Sequence, residues 1–385
     1  MPDSDLPVSN LQRCWPGQTL ILDGRATYLR HTPATGPNAE PAMYVHGLGG
    51  SSQNWTDMAG LLSCRLDGLA LDLPGFGRSE PAKRYTLKAL ADRVARVIEH
   101  ASRGPVHLFG NSLGGAVSVR LAATRPDLVR TLTLISPAMP FIDIRRSAQG
   151  RLAPMLLIPR VERLAARRLA EMGPEQLAHH VVELCWADPG SLHPQRLAEL
   201  VEETTHRLRV PWYADAYVRA FRGLVASFVR AYLPGADSLW RLATKVTAPT
   251  LVVWGRQDRL VDVRLAPRVA GAIPDSRLLI LDRAGHVAQI ERPREVSRAV
   301  LGLLDEVAPR RTPLAERTVP ADQVAPAESA ASTQPVGPGR SGPAEPAPPQ
   351  LLTGGGEGTT IPRITAARRA DHKVNGDAGA AVVAS

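Results

Sequence analysis

The chain has 385 residues, 44% of them hydrophobic and 4% aromatic, with a formal net charge of +9, enough apolar material for one large domain with an insertion or a tail. Only four of its 46 basic residues are lysines (Lys83, Lys88, Lys245 and Lys373), and the basic residues lie mostly singly among acids without an interleaved aromatic stripe, which argues against a nucleic-acid partner. The three cysteines, Cys14, Cys64 and Cys185, show no C-x-x-C spacing, which argues against both a disulfide framework and a zinc site.

Met1 to Asn10 carries Asp3, Asp5 and two prolines with no apolar run, so it does not read as a signal peptide, and no stretch approaches the length of a membrane span. The expected location is the cytoplasm. Thr19 to Arg30 reads as two short strands around Asp23-Gly24, a dipeptide suited to the positive φ angles of a hairpin turn. Ala42 to Val45 is an apolar strand running into His46-Gly47-Leu48-Gly49-Gly50, and Gln53 to Leu62 a helix. Gly68 to Leu71 is a buried strand before Asp72-Leu73-Pro74-Gly75-Phe76-Gly77-Arg78-Ser79. Thr86 is a good N-cap for a helix to about His100, with Leu87, Leu90, Val94, Val97 and Ile98 on one face. Val106 to Phe109, Val129 to Ile135, Thr250 to Trp254 and Leu278 to Leu281 are further strands. Strands alternating with helices of this length predict a mostly parallel α/β sheet flanked by helices.

Between Pro140 and Val246 the pattern is helical only. Stripes at Val161, Leu164, Ala165, Leu169 and Met172, at Leu177, Val181 and Leu184, at Leu197, Leu200 and Val201, and at Tyr217, Phe221, Leu224, Phe228 and Tyr232 predict an all-helical cap over the carboxyl ends of the strands. From Ala308 onward there are eleven prolines, nine glycines and no Phe, Trp or Tyr, a composition that cannot offset its ordering entropy. The expected organisation is core 1–139, cap 140–246, core 247–307 and disordered tail 308–385. Within the tail, Ile361 to Ala370 is the patch best suited to ordering on a partner.

Gly110-Asn111-Ser112-Leu113-Gly114 follows the third of these buried strands and precedes a helical pattern. A serine in a sharp strand-to-helix turn is strained and needs neighbours without bulk, so the two glycines meet a steric requirement. With His46-Gly47-Leu48-Gly49 after the early strand, the Asp72 to Ser79 loop, Trp254-Gly255-Arg256-Gln257-Asp258 after the penultimate strand and Ala284-Gly285-His286 after the last, the chain from about Gln18 to Val307 resembles the α/β-hydrolase fold family in motifs and element order. The resemblance implies a nucleophile Ser112, an acid Asp258, a base His286 and an oxyanion hole from the backbone N–H groups of Leu48 and Leu113. It also implies that His46 braces its loop rather than joining the triad. Asp262 and Asp143 are the rival acids. Gly47, Trp55, Trp212 and Tyr213 are candidate substrate contacts.

A neutral serine hydroxyl is a weak nucleophile and needs a base within hydrogen-bond reach. An imidazole with a pKa near 6.5 suits that role, and a buried carboxylate fixes its tautomer. No cluster with metal-ligand spacing and no dinucleotide fingerprint is present, so neither metal nor cofactor is expected. A small-molecule apolar ester or thioester is the expected substrate. The alternatives are carbon–carbon hydrolysis of ring-fission products, whose elbow Gly-Asn-Ser-Leu-Gly-Gly resembles, and a small-molecule receptor built on the same fold. The chain has Gly49-Gly50-Ser51 and Val287 where the carbon–carbon hydrolases typically have Gly-Pro-Gly and Trp.

Overall fold

The structure, a computed structural model, describes residues 13–141, 167, 171–233 and 238–308 and the backbone of 363–365. Asp23 and Gly24 have φ of 50° and 71°, as a tight turn between β1 (Gly17–Leu22) and β2 (Arg25–Thr32) requires. β2 pairs antiparallel with β4 (Leu66–Leu71), which runs parallel to β3 (Glu40–Val45). The parallel run continues through β5 (Val106–Asn111), β6 (Val129–Ile135), β7 (Thr250–Gly255) and β8 (Asp275–Leu281), in the order β1-β2-β4-β3-β5-β6-β7-β8.

The central strands are covered on both faces, which is why they read as unbroken apolar runs. Their side chains nevertheless separate by parity. Met43, Val45, Leu108, Leu132, Leu134 and Val252 join one core cluster with helices α2 (Leu87–Ala101) and α3 (Leu113–Thr124). Ala42, Tyr44, Phe109, Ile135, Leu251 and Val253 join a second with α1 (Thr56–Leu62) and a helix over Pro293–Val307. Each fully buried Leu or Val contributes about 1.5–3 kcal/mol of transfer free energy. Thr86 caps α2, its Oγ1 accepting from Ala89 N at 3.2 Å.

Between β6 and β7 lie α4 (Pro174–Cys185), α5 (Pro194–Arg209), α6 (Tyr213–Arg230) and the short α7 (Leu239–Ala243). The stripe from Val161 to Leu169, together with Asp143, falls outside the described residues. In α5 the half-buried Leu197 and Leu200 pack, as the stripe predicts, against the apolar cluster of Val182, Trp186 and Val287. The fully buried residues of α5 are nevertheless Glu203, Thr204 and Arg207. Arg78 Nη1 reaches Glu203 Oε2 at 3.3 Å, and Arg207 Nε lies 3.6 Å from Glu203 Oε1. Burial alone would raise the Glu203 carboxyl, but Arg207 and Arg78 outweigh it and hold the pKa below its ordinary value. An ion cluster therefore joins the cap to the Asp72–Ser79 loop.

After β7 come α8 (Ala266–Ala272), and after β8 come α9 (Ala288–Glu291) and α10 (Pro293–Val307). The segment expected to be disordered lies outside the described residues with two exceptions. Ala308 is an exposed bend, and β9 (Arg363–Thr365) pairs antiparallel with β8 at the sheet edge. Those three positions sit in the patch from Ile361 to Ala370. Among the described residues no helix is long and apolar enough to cross a membrane.

Candidate active site

β5 ends at Asn111 and α3 begins at Leu113, so Ser112 takes the whole change of direction, with φ 52° and ψ −115°. A non-glycine residue held there is strained, and such strain persists only where the surroundings over-determine it. They do so here through backbone groups. Ser112 N donates to Ile135 O at 3.1 Å, and Ser112 O accepts from Ala116 N at 3.0 Å and Ala138 N at 2.9 Å. A Cβ on Gly110 would overlap the Gly114 carbonyl, and one on Gly114 would overlap the carbonyls of Val45 and His46. Because those obstacles are backbone, Gly114→Ala is expected to cost about 2–4 kcal/mol, read as a lower urea midpoint at unchanged slope. A wild-type midpoint would show that the crossing is looser than described.

Gly47 lies directly beside the serine: a Cβ there would stand 3.0 Å from Asn111 Oδ1 and 3.1 Å from Ser112 Cβ. Its loop is held by His46. Leu73 N can only donate, so His46 Nε2, 2.9 Å away, accepts, and Nδ1–H donates to Gly47 O at 2.7 Å. Burial pushes the His46 pKa down, in keeping with a neutral ring. That is the bracing role expected of it. Among the described residues neither Leu48 N nor Leu113 N donates to another protein group.

Asp258 follows β7 in a loop closed by Trp254, whose Nε1 donates to Val261 O at 3.0 Å. Asp258 Oδ1 accepts from Leu260 N at 2.8 Å and Val261 N at 2.9 Å, and Oδ2 accepts from His286 Nδ1 at 2.9 Å. The Asp258 side chain is fully buried and that of His286 is 4% exposed. Asp262 instead caps the turn after it, accepting from Arg264 N at 3.0 Å. Asn111 Nδ2 spans the elbow and the histidine loop, donating to Ile135 O at 3.0 Å and His286 O at 3.1 Å. Sequence reasoning singled out neither Trp254 nor Asn111 for these bonds. Both donors act on backbone carbonyls, for which spacing carries no signal.

Of the candidate substrate contacts, Trp55 packs in the core. It is fully buried in the second core cluster, its ring 5.3 Å from Tyr44 and 6.4 Å from Phe109. Trp212 is half-buried at the start of α6. Its neighbour Tyr213 reaches further: a Cβ on Gly49 would stand 3.4 Å from the Tyr213 hydroxyl and 3.1 Å from the Tyr217 ring. The apolar cap therefore does approach the Gly47–Gly49 loop, through residues other than the tryptophan. Burial pushes the Cys185 thiol up to about 12, with Asp258 and Glu291 adding to it, so the cysteine nearest the site is an inert thiol at neutral pH.

The profile of the α/β hydrolase fold matches residues 41–293. The dihydrolipoyllysine-residue acetyltransferase component of the acetoin cleaving system from Cupriavidus necator is 30% identical over 276 residues, 71% of this chain and 65% of that protein. The chain thus spans just under two thirds of that relative's length. A monoacylglycerol lipase from Rattus norvegicus is 28% identical over 282 residues, covering 70% of this chain and 77% of that protein. Among solved structures, the 2-hydroxy-6-oxo-6-phenylhexa-2,4-dienoate hydrolase from Rhodococcus sp. superposes with a TM-score of 0.61 at 21% identity, covering 75% of this chain and 98% of that one. With the profile match over residues 41–293, and with the Ser112, Asp258 and His286 loops following the carboxyl ends of parallel strands β5, β7 and β8, the chain belongs to the α/β-hydrolase fold family.

Proposed function

We propose that the protein is a serine hydrolase acting on small to medium apolar esters or thioesters through an acyl-enzyme. The observation that carries this reading is the dry bond of 2.9 Å from His286 Nδ1 to Asp258 Oδ2, on loops flanking a serine held in a strained elbow. That bond leaves the imidazole Nε2 as the base. In this reading Ser112 Oγ attacks the acyl carbon while His286 takes its proton, and the N–H groups of Leu48 and Leu113 hold the oxyanion. His286 then returns the proton to the leaving alcohol or thiol. Water attacks the acyl-enzyme by the same route in reverse. Losing one oxyanion donor costs roughly 10²- to 10³-fold in rate.

Tyr213, Tyr217 and Phe221 on α6 supply apolar cap surface, and acyl chains gain about 0.8 kcal/mol for each buried methylene. A p-nitrophenyl ester series is therefore expected to show KM falling by up to about fourfold per added methylene until the cap is filled, with kcat insensitive to EDTA. Acetate as the best substrate, or loss of activity on chelation, overturns the apolar-pocket reading. A chain that turns over no ester but is stabilised thermally by a small apolar molecule would instead be a receptor.

A further inference from the structure

Two backbone segments distant in the chain meet at one carboxylate. Glu291, the last residue of α9, accepts from Gly285 N through Oε1 at 2.7 Å and from Ala187 N through Oε2 at 2.8 Å. Gly285 precedes His286 in the histidine loop, whereas Ala187 follows α4 in the cap. Beside this pair, His286 N donates to Cys185 O at 2.7 Å. A Cβ on Gly285 would overlap the Cys185 carbonyl and stand 2.8 Å from Ala187 N. The two strands of chain are thus pressed together, and only glycine leaves room for the crossing.

We propose that Glu291 is a positioning residue that locks the His286 loop to the cap, so that cap seating and imidazole placement form one mechanical unit; this rests on the serine-hydrolase reading of the same site. Its carboxylate is the acceptor common to both sides, and its hydrogen bonds go to backbone N–H groups rather than to the imidazole. Burial raises the Glu291 carboxyl, which two backbone N–H bonds and Arg292 counter, while Asp258 adds to the rise. A carboxylate kept there against desolvation is held by its two donors. Its chemistry suits the task because an ionised carboxylate offers an acceptor oxygen to each N–H, whereas an amide of the same shape offers one oxygen and turns a competing donor to the other.

The test compares wild type, Glu291→Gln and Ala187→Pro, the last removing the cap-side donor alone. Wild-type reaction with a fluorophosphonate probe at Ser112 and turnover of a p-nitrophenyl ester first decide the serine-hydrolase reading. Amide hydrogen exchange at Gly285, His286 and Ala187 then decides the lock without reference to activity. In Glu291→Gln the three amides are expected to exchange faster together, and kcat per labelled serine to fall about 10-fold with KM within twofold, because the base is displaced while the pocket remains. Ala187→Pro is expected to give the same split and to speed exchange at Gly285 and His286 across the junction. Unchanged exchange at Gly285 and His286 in both variants overturns the proposal, whether or not the enzyme hydrolyses esters. So does a lowered melting temperature with wild-type kcat per labelled serine, which marks a merely structural contact.

Discussion

Replacing Ser112 with alanine is expected to lower kcat on a p-nitrophenyl ester by at least about 10⁴-fold while the melting temperature moves by no more than about 2 °C. The size follows from the division of labour proposed above: with no nucleophile there is no acyl-enzyme, and what survives is oxyanion stabilisation of a direct attack by water. The small thermal effect follows from the geometry. The bonds that hold residue 112 are made by its backbone N and O, to Ile135, Ala116 and Ala138, and alanine keeps all of them. Retention of a tenth or more of the rate in the purified variant would place the nucleophile elsewhere.

Asp258→Asn is expected to lower kcat by about 10³- to 10⁴-fold with the fold intact. The neighbours determine how an amide must sit. Oδ1 takes two N–H donors, from Leu260 and Val261, while Oδ2 faces only the imidazole. The amide oxygen is therefore drawn to the two N–H groups and the NH₂ turned toward His286 Nδ1. A donor facing Nδ1 makes that atom the acceptor and moves the ring proton to Nε2, where a base is needed. Asp262→Asn, which alters a turn cap and a surface ion pair with Arg264, supplies the control. If Asp262→Asn or Asp143→Asn caused the larger loss, the acid would have been misassigned.

Local chemistry made much of this arrangement legible from the chain. Asp23-Gly24 announced a hairpin because few residues tolerate positive φ, Thr86 announced a helix start because its hydroxyl accepts a helical N–H, and Ser112 stood out because its flanking glycines are sterically obligatory. The strand register could not be read this way, yet the alternation of Met43 and Val45 against Ala42 and Tyr44 follows once both faces are known to be covered. What sequence reasoning missed depends on contacts distant in the chain. Glu291 and Ala187 meet only because the cap descends onto the histidine loop. Trp55 resembled a pocket wall because it follows the Gly47 loop, but its helix turns the ring into the core. The buried charges of α5 were hidden by the apolar residues beside them, since hydropathy does not indicate that Arg78 will arrive from another segment to pair with Glu203.

The chain leaves the sheet after β6 and rejoins it at β7, where Leu132 to Ile135 lie in register with Thr250 to Val253. Ser112 comes before that excursion, whereas Asp258 and His286 come after it. Closing a flexible loop costs an entropy that rises only with the logarithm of its length, about 0.6 kcal/mol for each doubling. An insertion at this place can therefore be lengthened, trimmed or rebuilt at little thermodynamic cost, provided the β6–β7 register is kept. The burden falls on the time course of assembly, because distant pairings are the slow ones to form. On the reading proposed above, a folding chain holds Ser112 without its acid until β7 docks on β6 and without its base until β8 docks on β7, so hydrolytic capacity waits on the last parallel pairings to form.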